Sequence, residues 1–200
     1  MRTAKQNSPA KKKLLDAAQH LVLTKGFMGT TVDDICRSAK LTKGSFFHYF
    51  ESKDDLGFKL LERYCADSRE AFHLGCCAAE KDPLKRVYGF LDFMIRMAKE
   101  KGGKGCLLGS MAQELSDTHP DIRNLCAKGF AGMAEHLRHD LAQAKKIHVP
   151  KTAFDPKELA DHFVAILEGT MLLARVRQDK RIKTSSLLHF KQYLKSLFGK

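Results

Sequence analysis

The chain has 200 residues, enough for one sizeable core or two modest ones, and its 44% apolar and 8% aromatic content excludes a disordered chain. No apolar run reaches the roughly 18–20 residues that a membrane span needs, and the polar, basic start Met1–Lys13 has no apolar segment behind it, so a cytoplasmic chain with reduced cysteines is expected. The net charge of +12 is concentrated at the ends: ten basic against four acidic residues over 1–53, eighteen of each over 54–176, and seven against one over 177–200.

Helical periodicity runs almost throughout, without a convincing alternating strand. Pro9 suits the first turn of a helix, with Ser8 before it as N-cap. Leu14, Ala18, Leu21 and Val22 then form one apolar stripe, and Gly26 ends the element with Phe27 placed for the apolar contact that accompanies a glycine cap. Thr31, with Asp34 three positions on, reads as a capping box opening a short second helix that buries Ile35 and Ala39. After the turn Lys40-Leu41-Thr42, Thr42 caps a third short helix, Lys43 to Phe50. A fourth begins near Ser52, with Asp55 at the capping-box position, and continues into the seventies. Pro83 starts a long helix that Gly102-Gly103 breaks. A shorter helix covers Cys106 to Ser116, and Pro120 opens another to about Lys146. Asp155-Pro156-Lys157-Glu158 is a strong start signal for a helix to about Gln178, apolar around much of its circumference. The last helix is expected over about Ser185 to Phe198. The predicted fold class is all-α with about nine helices: a helix-turn-helix domain over 1–52 and a helical domain over 53–200.

Two short helices joined by a three-residue turn, after an amphipathic helix and before a long one, form a helix-turn-helix arrangement. Phe46 and Phe50, four apart, are placed to anchor the second short helix to the core. That leaves Lys43, Gly44, Phe47 and His48 toward the other side, a surface of cations and flat rings suited to a nucleic-acid groove. Lysines supply phosphate contacts that release counterions, Gly44 lets backbone approach a base edge, and the helix starts at Thr31 and Thr42 offer unpaired amides to phosphates. Charge alone is equally compatible with a solvated face.

The run from Thr31-Val32-Asp33-Asp34-Ile35 through Lys43-Gly44-Ser45-Phe46-Phe47-His48-Tyr49-Phe50-Glu51-Ser52-Lys53-Asp54-Asp55-Leu56 resembles the TetR/AcrR family of bacterial repressors, densely over about residues 10–60. The resemblance implies that the third helix enters the major groove of a pseudo-palindromic double-stranded operator. By position, Thr31, Thr42, Lys43, Gly44, Ser45, Phe47, His48, Tyr49 and Lys53 would then form the DNA-binding set. Phe47 departs from the family's usual tyrosine, which removes a hydroxyl but keeps apolar contact with a thymine methyl available.

The remainder matches the family in outline, implying a helical effector-binding domain whose last two helices, 155–178 and 185–198, pair with a second copy. The apolar circumference of helix 155–178, together with small residues Ala165, Gly169 and Ala174, supports a homodimer independently. Gly105-Cys106-Leu107 and the segment after it resemble the electrophile-sensing branch that includes the N-ethylmaleimide reductase repressor. That resemblance, a helix N-terminus and nearby Lys101 and Lys104 make Cys106 a candidate sensor thiol; the alternative is a small residue beside a ligand cavity. Phe90, Met94, Met97, Met111, Phe130, Phe163 and Leu167 are inward candidates for an apolar small-molecule effector site, or simply core. Neither a cofactor nor a metal site is expected: Cys76-Cys77 lack ligand spacing, and His136 and His139 have no evident third ligand. An enzyme is disfavoured by the lack of any catalytic signature, whereas a non-specific basic nucleic-acid-binding protein remains the alternative to a specific repressor.

Overall fold

The structure, a computed structural model, describes residues 8–75, 80–100 and 105–199. The Gly102-Gly103 break, Lys101, Lys104 and the Cys76-Cys77 pair fall outside them. Among the described residues there are nine helices and no strand: α1 Pro9–Lys25, α2 Val32–Ala39, α3 Lys43–Tyr49, α4 Lys53–Gly75, α5 Pro83–Glu100, α6 Leu107–Leu115, α7 Pro120–His148, α8 Pro156–Val176 and α9 Arg181–Leu197. None of them is long and apolar enough to cross a membrane.

Local signals account for most of these boundaries. Leu14, Ala18 and Val22 of α1 are buried, and Gly26 stops the helix at φ 86°, a left-handed geometry that favours glycine. The Thr31–Asp34 capping box closes in both directions at the start of α2. Asp155 caps α8 by accepting from the Lys157 and Glu158 amides. Ser8 flanks α1 but does not cap it through its side chain; its hydroxyl instead shares a hydrogen bond with the Tyr49 hydroxyl at 2.7 Å. The last helix starts at Arg181, four residues earlier than Ser185. Asp179 takes the Arg181 amide at 3.0 Å and pairs with its guanidinium at 2.9 Å, which supplies a start that the sequence pattern did not single out.

The chain divides into two compact units. The first comprises the described parts of Met1–Ala66 and Cys106–Ala127, and the second those of Asp67–Gly105 and Lys128–Lys200. In the first unit α1 packs on α2, α3 and α6, and α2 packs on α3. Arg63 of α4 ties back to α1 through Asp16 at 2.8 Å and Gln19 at 3.0 Å. Helix α6 therefore belongs with the helix-turn-helix, although some sixty residues separate them in sequence.

The second unit is built around a ladder of buried rings: Phe90 to Phe163 at 5.6 Å and Phe163 to Phe190 at 5.4 Å between centroids. Helix α9 packs on α8 and α5. Beside this core, Arg86 bridges to Asp140 at 2.7 Å and His148 to Asp82 at 3.0 Å. Ala174 is buried against its own chain and does not belong to a small outward stripe, whereas Ala165 and Gly169 do face outward.

Candidate nucleic-acid interface

Helix α3 has two unlike sides. Phe46 and Phe50, the latter its C-cap, are 0% and 1% exposed and lie 5.5 Å apart ring to ring. They fix the helix to the unit. Phe47, between them in sequence, is 57% exposed, and Thr42, Lys43, Gly44 and His48 are exposed with it. Thr42 caps the helix by accepting from the Ser45 amide at 3.1 Å. A large exposed aromatic ring beside a lysine and an imidazole is costly in water, since the ring buries 150–250 Å2 or so when it finds a partner.

Several charges around this face have partners within the chain. Lys43 pairs with Asp33 of α2 at 2.8 Å, and that bond raises the Lys43 pKa above its ordinary value. Asp34 is held well below the usual carboxylate range by hydrogen bonds from the Lys25 ammonium first and from Thr31 second. Tyr49 is half-buried, its hydroxyl engaged with Ser8. Lys53 is half-buried as well: its Nζ donates to the Phe27 carbonyl at 3.2 Å and sits 4.6 Å over the Phe27 ring. Of the nine DNA-contact candidates, Thr31, Thr42, Lys43, Gly44, Phe47 and His48 are exposed, while Ser45, Tyr49 and Lys53 are partly covered.

The sensing candidates are divided between the units. Cys106 is buried at the N-cap of α6, where the Tyr64 hydroxyl donates to its Sγ at 3.9 Å. Met111 belongs to the same unit, 3.3 Å from the position a Cβ on Gly57 would take. Phe90, Met94, Phe163 and Leu167 are buried in the core of the second unit, Met97 and Phe130 being half-buried. His136 packs against Phe90 with centroids 5.1 Å apart. Cys36, Cys65, Cys106 and Cys126 are thiols and not disulfides. Burial pushes the Cys126 pKa up to about 11, with the neighbouring Cys65 adding to the shift. Among the described residues no cluster of three His, Cys, Asp or Glu side chains is arranged to hold a metal.

The sequence did not single out Glu114. It sits in the last turn of α6, where the helix macrodipole disfavours a carboxylate, and that misplacement is the signal that something else holds it. Its Oε1 accepts from the Phe27 amide at 3.0 Å and its Oε2 from the Met28 amide at 2.8 Å.

A capped helix with a buried aromatic side and an exposed cationic, aromatic side, set across a short turn from a second capped helix, defines a helix-turn-helix DNA-binding protein. Comparison with known sequences agrees. Residues 14–58 match the model of the bacterial regulatory proteins of the tetR family, and residues 83–190 that of the tetracyclin repressor-like C-terminal domain. The chain belongs to the TetR family and is a helix-turn-helix transcriptional regulator. It is similar to the HTH-type transcriptional repressor NemR of Escherichia coli K12, 26% identical over 182 residues, or 90% of this chain and 92% of that one. The reduced form of E. coli NemR superposes with a TM-score of 0.77 over 92% of this chain and 96% of that one. The HTH-type transcriptional repressor DhaR of Mycobacterium sp. strain GP1 is 24% identical over 173 residues, 86% of each chain. A regulatory protein TetR from Rhodobacter sphaeroides matches with a TM-score of 0.80 and 26% identity over 96% of this chain and 100% of that one.

Proposed function

We propose that this regulator is a cytoplasmic homodimeric repressor that reads a pseudo-palindromic operator with α3 and releases it when a small apolar or electrophilic effector acts on the rest of the chain. The observation that carries the reading is the α3 face, an exposed Phe47 flanked by Lys43 and His48 over a buried Phe46–Phe50 anchor. Thr31, Thr42, Lys43, Gly44, Ser45, Phe47, His48, Tyr49 and Lys53 form the contact set within a DNA-binding domain over 1–52. Similarity to proteins named as repressors supports the sign of regulation.

Dimerisation is supported by the outer faces of α8 and α9 in the 53–200 portion. Leu172, Leu173, Val176, Leu188 and Tyr193 are exposed there, Val176 at 72%, beside an open groove of about 580 Å3 whose lining includes Ile166, Gly169 and Tyr193. Exposed apolar area of this kind marks an association surface, and a two-fold pair of recognition helices suits two half-sites about one helical turn apart.

Cys106 is the sensor thiol in this reading, reached by a reagent through local opening of its buried site, and the aromatic and methionine side chains around Phe90 and Phe163 are the place for a reversible apolar effector. Fluorescence anisotropy of the reduced full chain on its own upstream intergenic DNA, before and after stoichiometric N-ethylmaleimide, tests both parts. Competitor-resistant binding that alkylation abolishes in the wild type and spares in Cys106→Ser is expected. Equal loss in both chains would remove Cys106 from the mechanism, and the absence of any sequence preference would favour a non-specific basic nucleic-acid-binding protein.

A further inference from the structure

The segment between α1 and α2 is held at many of its polar atoms. Gly26 carries φ 86°, and a Cβ there would lie 2.7 Å from Glu114 Oε1, so the glycine both makes the turn and clears the carboxylate. The Phe27 and Met28 amides donate to the two oxygens of Glu114 at 3.0 and 2.8 Å. The Phe27 carbonyl accepts from the Thr30 amide at 3.1 Å and from Lys53 Nζ at 3.2 Å. Thr30, 1% exposed, returns its hydroxyl to the Gly26 carbonyl at 2.6 Å. The Phe27 ring fills the space that Gly57 leaves by having no side chain.

The next residue, Thr31, is the cap of α2. Only Gly29 and Thr30 separate the Met28 amide that Glu114 holds from the start of α2, Thr30 is itself bonded back to Phe27 and Gly26, and α3 packs directly on α2. With so short a link, a shift of the Phe27–Met28 amides displaces the α2 cap unless Gly29 absorbs it. Glu114 and Cys106 also stand at opposite ends of one short rigid element: Cys106 is the N-cap of α6 and Glu114 lies in its last turn, about 12 Å apart at 1.5 Å per residue.

We propose that Glu114 is a positioning residue for DNA recognition, a two-point clamp on the Phe27 and Met28 amides that sets where α2 begins and so the attitude of α3. The proposal rests on the regulator reading above and deepens it, because the clamp makes α6 the element through which a displacement at Cys106 reaches the DNA-reading helices. A coupling of this kind requires a packed element that moves as a unit. Helix α6 meets that requirement, since it packs on α1 while its carboxylate grips the segment that follows α1. Glu114 never touches DNA in this scheme. Its effect falls on sequence-specific affinity, which depends on two recognition helices being aimed together, and spares the non-specific attraction of lysines to phosphate.

The test uses the full reduced chain, the duplex that the wild type recovers from a random-site selection, a scrambled duplex of equal length, and hydrogen exchange read at the Phe27 and Met28 amides. Glu114→Ala is expected to weaken binding to the selected duplex about tenfold, the scale of losing hydrogen bonds to a charged acceptor. Affinity for the scrambled duplex should be unchanged at the same salt, while both amides exchange faster. Glu114→Gln keeps one acceptor oxygen and should fall between wild type and alanine on both readouts; it carries the test if the alanine variant does not fold. Wild-type affinity of both variants for the selected duplex, with the amides deprotected, overturns the proposal. So does unchanged exchange in Glu114→Ala. A wild type that selects no sequence overturns the regulator reading and this proposal together, and differs from failure of the clamp alone, in which the wild type selects a site and the variants bind it equally well.

Discussion

Replacing Gly57 by alanine puts helix propensity and packing in direct opposition at one atom. Gly57 lies inside α4, and an added Cβ would come within 2.6 Å of Phe27 Cε2, 2.9 Å of its Cζ and 3.3 Å of Met111 Cε. Phe27 is 1% and Met111 0% exposed, so neither can swing into solvent. In an open helix the substitution would stabilise by about 1 kcal/mol. Overpacking of a closed core costs about 1–3 kcal/mol, and a contact below 3 Å against a buried ring belongs at the upper end. A net loss of about 1–2 kcal/mol is expected, read as a lower urea midpoint of the full chain by circular dichroism. Phe27→Leu removes the ring edge that the methyl would strike, so Gly57→Ala should cost about 1 kcal/mol less in that background than in the wild type. Additive midpoints, or a Gly57→Ala chain more stable than wild type, would refute the argument that Phe27 occupies that space. Because Lys53 Nζ sits over the same ring, operator affinity should fall with Gly57→Ala and stay lowered in the double variant, which has no ring there.

The remaining expectations concern charge and thiols. Asp33→Asn releases Lys43 from its pair and removes a negative charge beside the α3 face; affinity for any duplex should rise about two- to fivefold, the scale of an exposed pair, and an unchanged or weaker affinity by anisotropy would count against it. Asp34 has its pKa depressed by Lys25 and Thr31 in the folded chain, so its contribution to stability is present above the ordinary carboxylate pKa of about 4 and is lost as pH falls below it. The gap in urea midpoint between wild type and Asp34→Asn should therefore shrink on acidification below about pH 4, and a constant gap down to pH 3 would contradict the assignment. Cys126, pushed up to about 11, holds on the order of one part in several thousand as thiolate near pH 7.4. Mass spectrometry after brief alkylation of the native chain should find it unmodified, and early modification there would show that the burial is wrong.

What the sequence made legible was local. Caps, breaks and apolar stripes depend on residues within one or two turns of each other, so the Thr31–Asp34 box, the Gly26 stop and the Asp155 start could all be read in advance, as could the division of Phe46 and Phe50 from Phe47. Interactions across long separations left no such trace. Glu114 meets Phe27 across 87 residues, and only its awkward place at a helix C-terminus hinted at a partner. The family resemblance places Lys53 among the DNA contacts, and nothing in the pattern tells that its ammonium meets a carbonyl and a ring 26 residues earlier. Ala174 fits a small-residue stripe by periodicity but is buried in its own unit, since a helix apolar on most sides does not announce which side meets a partner. The early start of α9 is a local exception: Asp179 accepts from the Arg181 amide two residues on, outside the three-residue spacing of a capping box.

The central claim, that α3 reads a specific DNA sequence, is tested most directly by random-site selection with the full reduced chain, followed by anisotropy of the recovered duplex against scrambled competitor. The account predicts enrichment of two inverted half-sites about one helical turn apart, bound about a thousandfold or more tighter than scrambled DNA, with Phe47→Ala abolishing the preference and Lys43→Ala lowering the salt slope by about one. Absence of enrichment, or a Phe47→Ala chain that selects the same site with the same affinity, would contradict it.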